Sequence, residues 1–250
     1  CIFVSMNDKL QQIDTLLGEL NQYRANENYR ITEALEIEYT YDSNRIEGNT
    51  LTLHETDMVV NKGITIAGKG LREHLEAINH KEAIDFIKDI AQKKEPISER
   101  VLLDIHAIVL HSIDKDNAGK YRRVPVIISG SKHIPPQPYL LQPKMDELFQ
   151  WYEANKDSMH PVVLAAQMHE KLVSVHPFID GNGRTARLLM NLILMQHGYP
   201  IANIKGDNET RRRYYETLEE ASSGDNSAFV EFIEDVVIQS LTYYLKIIRG

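Results

Sequence analysis

Apolar residues recur every three or four positions along most of the chain, which is the spacing of one face of an α-helix. The predicted helices cover stretches around 13–20 and 34–41, and then about 71–93, 98–111, 143–155, 161–174, 184–197, 208–222 and 227–247. The stretch at 184–197 is almost wholly apolar, as in a helix at the centre of a bundle. The pattern therefore predicts an all-α fold.

The helical pattern stops between about residues 112 and 142. This part of the chain contains glycine and asparagine turn signals, several prolines, and a β-branched run from Val124 to Ile128. β-branched residues between turn signals favour extended backbone, so we expect a short hairpin or an extended flap here. An ordinary surface hairpin is the more common outcome for such a run.

The composition narrows the class of protein. The 250 residues are 42% hydrophobic, which is enough for one main domain with a single core. A formal net charge of -8 and a pI of about 5.7 argue against a general nucleic-acid binder, so any anion site must be local. The only cysteine is Cys1, which excludes an intrachain disulfide and a cysteine-based metal cluster, and favours a reducing compartment.

Membrane and targeting signals are not evident in the sequence. No stretch approaches the roughly 18 uninterrupted apolar residues of a membrane-spanning helix, and the N-terminus lacks a basic-then-apolar signal pattern. We therefore expect a cytoplasmic protein without a membrane partner.

The densest chemistry lies in HPFIDGNGRTAR, residues 176–187. The preceding helix must stop at His176, because a residue before proline is biased away from helical backbone. A glycine-rich turn directly before a helix offers converging amide N–H groups and the positive end of the helix dipole, which favour an anion. Arg184 and Arg187 share one face of the first turn of the next helix, where two cations also require an anion. Phosphate is the expected ligand.

Two more side chains of this motif suit phosphate chemistry. Asp180 offers a carboxylate beside the turn, and magnesium is usually held by one or two carboxylates together with substrate phosphates. His176 suits proton removal near neutrality, since an unperturbed histidine has a pKa of about 6.5.

Simpler interpretations exist for each part of the motif: an ordinary turn, surface arginines, and a core histidine. The conjunction of the parts favours a site. A Walker A loop is excluded because no glycine-lysine-serine/threonine follows, and a dinucleotide-binding fingerprint is excluded because the preceding segment is helical.

HPFIDGNGRTAR resembles the signature of the Fic family and matches it at every defined position. The resemblance extends over about residues 98–245. It implies an all-α, Fic-type helical bundle with a small β-hairpin flap over the active site. It also implies a protein adenylyltransferase, which uses Mg²⁺ and transfers AMP from ATP to a hydroxyl side chain of a target protein.

The resemblance assigns a role to each matched position. His176 would be the catalytic base, Asp180 would hold the metal, and Phe178 would anchor the loop in the core. ATP would be bound by Gly181, Asn182, Gly183, Arg184 and Arg187, with Tyr214 or Tyr215 bordering the adenine. The target protein would dock on the flap at Val126, Ile127, Ile128, Gly130 and His133.

A second motif, TYDSNRIEGNT at residues 40–50, ends another predicted helix. Ser43 and Glu47 lie four residues apart on one helical face, with Gly48 as the C-cap. A carboxylate in the last helical turn faces the negative end of the dipole, so a cation should compensate it, and Arg45 or water is the simple answer.

This second motif also resembles the inhibitory motif of Fic proteins, in the class whose inhibitory helix precedes the core in the same chain. The resemblance implies that Glu47 pairs with Arg187 and autoinhibits the protein. We therefore expect an N-terminal helical segment at 1–95, containing an inhibitory helix at about 33–48, packed on a Fic core domain at 96–250.

Two alternative functions remain open from the sequence. The same residues would permit a phosphodiesterase that removes AMP from a modified protein, with Glu47 orienting water. The pocket could also belong to a non-catalytic ATP-sensing module, although binding alone needs neither a base nor that carboxylate.

Other partners are weakly indicated. Arg211 to Arg213 are interpreted as solvated rather than as a nucleic-acid patch, and the chain is expected to end too soon after the core for a winged-helix domain. A homo-oligomer is possible. The target protein cannot be read from the sequence.

Overall fold

The computed structural model describes residues 2–249, and the side chains of residues 8–249. The described helices are α1 (Ile2–Tyr23), α2 (Tyr29–Ile46), α3 (Leu53–Lys62), α4 (Leu71–Lys93), α5 (Glu99–Val109), α6 (Leu141–Asn155), α7 (Pro161–Val175), α8 (Asn182–Gln196), α9 (Asn208–Ser222) and α10 (Ser227–Arg249). Single 3-10 turns lie at Arg24–Asn26 and Pro138–Leu140. The prediction of an all-α fold is confirmed over this range.

The helix α8 is the centre of the bundle, as its apolar sequence predicts. Almost every residue from Asn182 to Leu194 is buried. Helix α7 packs along it, and α4 and α5 pack on its other sides. The first turn of α8, which contains the two arginines of the motif, therefore lies in the interior of the molecule.

The N-terminal helices pack directly on the rest of the molecule. Helix α1 packs against α10, α2 against α4, and α4 against α8. One hydrophobic core includes Ile13 and Leu20 of α1 together with Ile193 of α8. The predicted packing of residues 1–95 on the core is thus present where the structure describes it, and the division into two domains stays a prediction.

Helix α3 was not predicted from the apolar pattern. Its ten residues, LHETDMVVNK, bury only Thr56 and Val59, so their periodicity is weak. Its start is nevertheless encoded locally, because Thr52 and Glu55 form a capping box in which each side chain accepts the other residue's backbone N–H.

Of the two predicted alternatives, a short hairpin and an extended flap, the structure shows the extended flap: residues 121–137, hereafter the flap loop, contain no strand. Pro125 and Pro135 lack the amide N–H that a strand ladder needs. Arg122 also occupies carbonyls that a ladder would use, donating to the oxygens of Val124 (3.0 Å) and Pro136 (2.6 Å). The segment is therefore an extended loop held by a side chain.

None of the described helices is long and apolar enough to cross a membrane.

Candidate active site

The loop that carries the motif begins with an unusual backbone turn. Helix α7 ends at Val175, and His176 adopts the left-handed conformation, with φ 47° and ψ 59°. This conformation is uncommon for residues other than glycine. The His176 N–H still donates to the carbonyl of Leu172, at 3.0 Å, so the last hydrogen bond of α7 is intact and His176 caps the helix.

The loop is fixed by the side chain of Asn182 and the ring of Phe178. Asn182 accepts the N–H of Phe178 at 3.0 Å and donates to its carbonyl at 2.9 Å. Phe178 is fully buried and stacks on His106, with ring centroids 3.6 Å apart and an interplanar angle of 7°. The structure thus places Phe178 as the predicted anchor. The side chain of Asn182 therefore closes the loop around Phe178.

His106 supports the same loop through hydrogen bonds of both its ring nitrogens. Its Nδ1 accepts the N–H of Gly119 at 3.0 Å, so the ring proton lies on Nε2, which donates to the carbonyl of Asp180 at 3.0 Å. Burial lowers the pKa of His106 to about 4, with a smaller contribution from the charge of Arg184 and a partial opposing effect of the bond to the Asp180 carbonyl. The ring is therefore neutral at physiological pH. The sequence indicated no role for His106, because its partners are distant in the chain.

Asp180 lies where the sequence placed it, beside the start of α8. Its Oδ1 accepts the N–H of Gly181 at 2.6 Å and lies 3.3 Å from Arg184 Nη2, while Oδ2 pairs with Arg72. Burial raises the pKa of Asp180, but the charges of Arg184 and Arg72 and the Gly181 N–H together bring it below its ordinary value. The carboxylate is therefore ionised.

Arg184 is a buried cation with unused donors. Its side chain is 2% exposed, and Nη1 lies 3.5 Å from Glu76 Oε1. Among the described residues, Nε and Nη1 have no hydrogen-bond partner. Buried donors are almost always paired, so unpaired ones on a guanidinium indicate a missing anion or water.

Arg187 is the second buried cation, and its partners come from α2. Its side chain is 1% exposed, and Nη2 lies 2.7 Å from Glu47 Oε1. Its Nε donates to Ser43 Oγ at 3.0 Å and Nη2 to the Ser43 carbonyl at 2.9 Å. Burial lowers the pKa of Arg187, but Glu47 and Tyr214 raise it above its ordinary value. The predicted contact between Glu47 and Arg187 is present.

The end of α2 fixes the position of Glu47. Glu47 is the C-cap, and Gly48 follows with a φ of 98°, which favours glycine. The Gly48 N–H donates to the Arg45 carbonyl at 3.0 Å, and the Asn49 N–H to the Asn44 carbonyl at 3.1 Å. These two bonds form a Schellman motif, so the helix ends firmly with the carboxylate beside α8.

A second contact holds α2 one turn earlier. Asp42 is buried, and its Oδ1 accepts the N–H of Gly206 at 2.9 Å. Its Oδ2 accepts from Asn203 Nδ2 at 2.7 Å and lies 3.2 Å from Lys205 Nζ. The segment that joins α8 to α9 therefore binds the helix that carries Glu47.

The two tyrosines predicted near the adenine differ in position. Tyr214 is buried, and its hydroxyl lies 3.3 Å from Arg187 Nη1 and 3.1 Å from His169 Nε2. Tyr215 is exposed, and its hydroxyl donates to the carbonyl of Ile46 at 3.3 Å. Tyr214 thus supports Arg187. Of the two tyrosines, Tyr215 is the one whose ring is exposed and available to an adenine ring.

The flap loop is tied to the motif loop by Arg122. The N–H of Arg122 donates to the Pro177 carbonyl at 2.9 Å, and its Nε donates to the His176 carbonyl at 2.8 Å. At the tip, Ile127 is 89% exposed, and Gly130 turns the chain with a φ of 80°. Val126, Ile128 and His133 are half-buried. The structure therefore joins the start of the flap loop to the motif loop through Arg122, and joins His133 to the end of α7 through the Ser174 carbonyl.

The imidazole of His176 is largely buried at the edge of this arrangement. Burial lowers its pKa to about 4, with smaller contributions from Arg122 and His133, while the nearby Val173 backbone and the charge of Glu47 raise it in part. The imidazole is therefore neutral, and able to accept a proton, at physiological pH.

Comparison with known proteins agrees with this geometry. Residues 96–194 match the Fic/DOC family. A fragment of Fic-1 from C. elegans shares the fold with a TM-score of 0.86 and 31% sequence identity, over 99% of this chain and 74% of that chain. The chain belongs to the Fic/DOC family.

Two further Fic relatives show how far the similarity extends. A Fic domain containing signaling protein from Bacteroides thetaiotaomicron has a TM-score of 0.86 and 29% identity, over 97% of both chains. The "Protein adenylyltransferase Fic" of Nematostella vectensis is 39% identical over 95% of this chain and 53% of the relative. The chain spans about half the length of the curated Fic proteins that it matches, between 41% and 53%.

Three residues of this Fic site were missed by the sequence analysis: Arg72, His106 and Arg122. Each contacts the motif loop from a segment at least 54 residues away, as the bonds Arg72–Asp180, His106–Asp180 and Arg122–His176 show. No local spacing connects such positions.

Proposed function

We propose that this chain has the activity for which its curated relatives are named, and transfers AMP from ATP to a hydroxyl group of a target protein. The observation that carries the proposal is the neutral imidazole of His176 at the start of the loop that leads into the two buried guanidinium groups of Arg184 and Arg187. A base beside an anion site is what nucleotidyl transfer requires, since the reaction depends on positioning and on neutralising charge.

The anion site suits the phosphates of a nucleotide. The amides of Gly181, Asn182 and Gly183 at the start of α8 would face the phosphate oxygens. The unpaired Nε and Nη1 of Arg184 would donate to the same group. Tyr215, which is exposed next to the end of α2, is the candidate for contact with the adenine.

Asp180 fits a magnesium ion held together with the nucleotide. Its carboxylate is ionised and half-buried beside the proposed phosphate site, and Arg72 would have to release it. The described residues contain no group of three or more potential metal-binding side chains, so such an ion would take its remaining ligands from phosphate and water. When bound, the ion neutralises phosphate charge.

His176 would take the proton of the target hydroxyl. The hydroxyl oxygen then forms a bond to the α-phosphorus of ATP, the bond from that phosphorus to the bridging oxygen breaks, and pyrophosphate leaves. The left-handed turn at His176 and the bond from Arg122 to its carbonyl fix the backbone that carries the imidazole, at the start of the motif loop. The target would lie along the flap loop, with the exposed Ile127 as its first contact.

Glu47 would hold this site in an inhibited state. Its carboxylate takes the Nη2 donor of Arg187, which is then not available to the outer phosphates. Ser43 fixes the same guanidinium from the preceding turn of α2. We assign the inhibitory helix to α2, Tyr29–Ile46, with Glu47 and Gly48 as its cap.

The test uses four proteins, the wild type, Glu47→Gly, His176→Ala and the double variant, each incubated with labelled ATP, magnesium and a cell lysate. We expect little label with wild type, clear label on discrete proteins with Glu47→Gly, and none when His176→Ala is combined with it. Nucleotide binding should survive in His176→Ala. Equal labelling by wild type and Glu47→Gly would refute inhibition by Glu47, and labelling without His176 would refute the base.

The alternative functions give different outcomes in the same assay. Loss of label from a previously modified protein, faster with wild type than with Glu47→Gly, would indicate AMP removal. Nucleotide binding without any transfer by Glu47→Gly would indicate a sensor.

A further inference from the structure

A second pocket, of about 480 Å³, lies beside the flap loop. It is enclosed by α6, α7 and the turn between α9 and α10, and its walls include His133, Trp151, Glu170, Lys171 and Ser174. Ser174 is two residues before the catalytic candidate in the chain. The pocket is thus a neighbour of the proposed active site and shares with it only His133 of the flap loop.

Glu170 is the unusual group in this pocket. Its residue is 7% exposed, and its Oε1 accepts the hydroxyl of Ser174 at 2.8 Å. Burial raises its pKa, while Ser174, Lys171 and His133 lower it in part. In the described part of the chain, no basic side chain forms an ion pair with it.

The cations that line the pocket are engaged elsewhere. Lys171 Nζ lies 4.9 Å from the centroid of the Trp151 ring, and Lys144 Nζ lies 2.7 Å from Glu147 Oε2. Glu170 is therefore the one carboxylate of this pocket without its own cation. A buried carboxylate is costly unless a cation or several hydrogen bonds accompany it.

The pocket also contains a surface that suits a guanidinium group. Trp151 lines it, and indole rings bind cations on their faces, arginine more often than lysine. A planar guanidinium can stack on such a ring while it donates to a carboxylate. Lys171 Nζ lies over this ring in the structure, so an arginine side chain would displace that ammonium group from Trp151 while it pairs with Glu170.

The position of the pocket relates it to the flap loop. His133 Nε2 donates to the Ser174 carbonyl at 2.7 Å, which joins the end of the flap loop to α7. Lys132, the residue before His133, is joined to α9, because its N–H donates to Glu219 Oε1 at 2.9 Å. A protein segment laid along the flap loop therefore has this pocket at its His133 end.

We propose that this pocket binds an arginine side chain of the target protein, so that the chain selects targets with a basic residue close to the modified hydroxyl. The proposal rests on the proposed function, because the arginine is taken to belong to the target protein that lies along the flap loop. Glu170 is a specificity-determining residue in this scheme and takes no part in the chemistry.

The first test is a binding measurement that needs no AMP transfer. Trp151 is the only tryptophan of the chain, so tryptophan fluorescence reports on this pocket alone. N-acetylarginine amide is titrated, with N-acetylcitrulline amide as the neutral ligand of the same shape. We expect a saturable change, with roughly tenfold tighter binding of the arginine compound, as one charge-assisted hydrogen bond would give.

Two variants complete this measurement. Glu170→Gln keeps the shape of the side chain and should remove the preference for the arginine compound. Glu147→Gln changes an acid of the same pocket that already has a cation, and should keep the preference. Equal binding of the two compounds to wild type, or an unchanged preference in Glu170→Gln with nucleotide binding intact, would overturn the proposal.

The second test connects the pocket to the target. In the Glu47→Gly protein, saturating N-acetylarginine amide should lower the labelling of lysate proteins, and N-acetylcitrulline amide should not. Binding without any effect on labelling would overturn the assignment to the target protein. If the Glu47→Gly protein transfers no AMP at all, the proposed function fails, while the fluorescence titration still decides whether the pocket binds arginine.

Discussion

Gly183 leaves the space in which Glu47 lies. A Cβ atom on Gly183 would be 2.3 Å from Glu47 Oε1 and 3.0 Å from Arg187 Nη1, so any side chain at this position would displace the carboxylate. The resemblance assigns Gly183 to phosphate binding. The structure adds that the same missing side chain admits Glu47, so that nucleotide and inhibitor would use overlapping space.

This overlap predicts a coupling between the two positions. In the wild type, Gly183→Ala should lower the unfolding free energy by about 1–3 kcal/mol, because the methyl group overpacks against Glu47. In the Glu47→Gly background the same change should become neutral or stabilising by up to about 1 kcal/mol, since alanine favours a helix over glycine. Urea unfolding of the four proteins forms the double-mutant cycle. Identical effects in both backgrounds would show that Glu47 does not fill this space.

The buried contacts of Asp42 predict a second way to release α2. Asp42→Asn keeps the shape but removes the charge that accepts from Gly206, Asn203 and Lys205. We expect the unfolding free energy to fall by about 1.5–3 kcal/mol, the range for hydrogen bonds to a charged group. AMP transfer should rise toward that of Glu47→Gly, although neither Glu47 nor Arg187 is changed.

The matched control for Asp42 is Glu38→Gln. Glu38 pairs with the same Lys205, at 3.1 Å, but lies nearer the surface. A pair of this kind contributes about 0–1 kcal/mol, so stability and transfer should change little. Equal activation by both variants would point to Lys205 alone, and no activation by Asp42→Asn would show that the contact does not restrain α2.

The low pKa of His176 predicts an unusual pH profile. Because burial brings the pKa to about 4, the imidazole stays neutral as the pH falls well below 6.5, and activity is lost only as the pH approaches about 4. Loss of Glu47 removes a charge that raises this pKa, so Glu47→Gly should show no acid limb near neutrality. The measurement is kcat/KM of Glu47→Gly against pH. An acid limb near 6.5 would mean that His176 is solvated during the reaction.

Glu234 predicts a change in stability with pH. Its carboxyl is buried in α10, and neither oxygen has a partner among the described residues. Burial and the acids Glu231 and Asp235 raise its pKa to about 7, against the partial effect of Lys9. Between its ordinary value of 4.5 and about 7, the folded protein holds a proton that the unfolded chain releases. The unfolding free energy therefore falls as the pH rises through this window.

Glu234→Gln removes that dependence. At pH 8 the variant should be more stable than wild type by about 3 kcal/mol, the value of a shift of this size, and near pH 5 the difference should be below about 1 kcal/mol. Urea unfolding at the two pH values measures the difference. Glu82→Gln, which changes an exposed acid of α4 that does not act on the pKa of Glu234, serves as control. A Glu234→Gln variant that is less stable at both pH values would mean that the carboxylate has a partner.

Most of the helices could be predicted because their burial follows one periodic pattern. The bounds of α4 and α9 agree with the predicted 71–93 and 208–222. Helix α3 escaped because it buries too few residues to show a period, and its capping box was the only local signal. The hairpin alternative for the flap loop followed from the β-branched residues alone. It does not occur because the guanidinium of Arg122 binds carbonyls that strand pairing would use.

The candidate site could be predicted only as far as it is local in sequence. Residues 176–187 contain their own turn, helix start and charges, so their arrangement follows from spacing. The contact of Glu47 with Arg187 joins residues 140 apart, and only a family resemblance indicated it. The support from His106 and Arg72 depends on how α4 and α5 pack against α8, which no spacing in the sequence states.

The position of Arg122 has a mechanical consequence. One guanidinium binds the carbonyl of His176, the carbonyl of Val124 and the carbonyl of Pro136, so it joins both ends of the flap loop to the residue that would act as base. A protein that pulls on this loop must also shift the imidazole. A target protein that binds the flap loop in the wrong position would thus displace His176, the base that its own modification needs. Selection among target proteins would therefore occur before the bond to phosphorus forms.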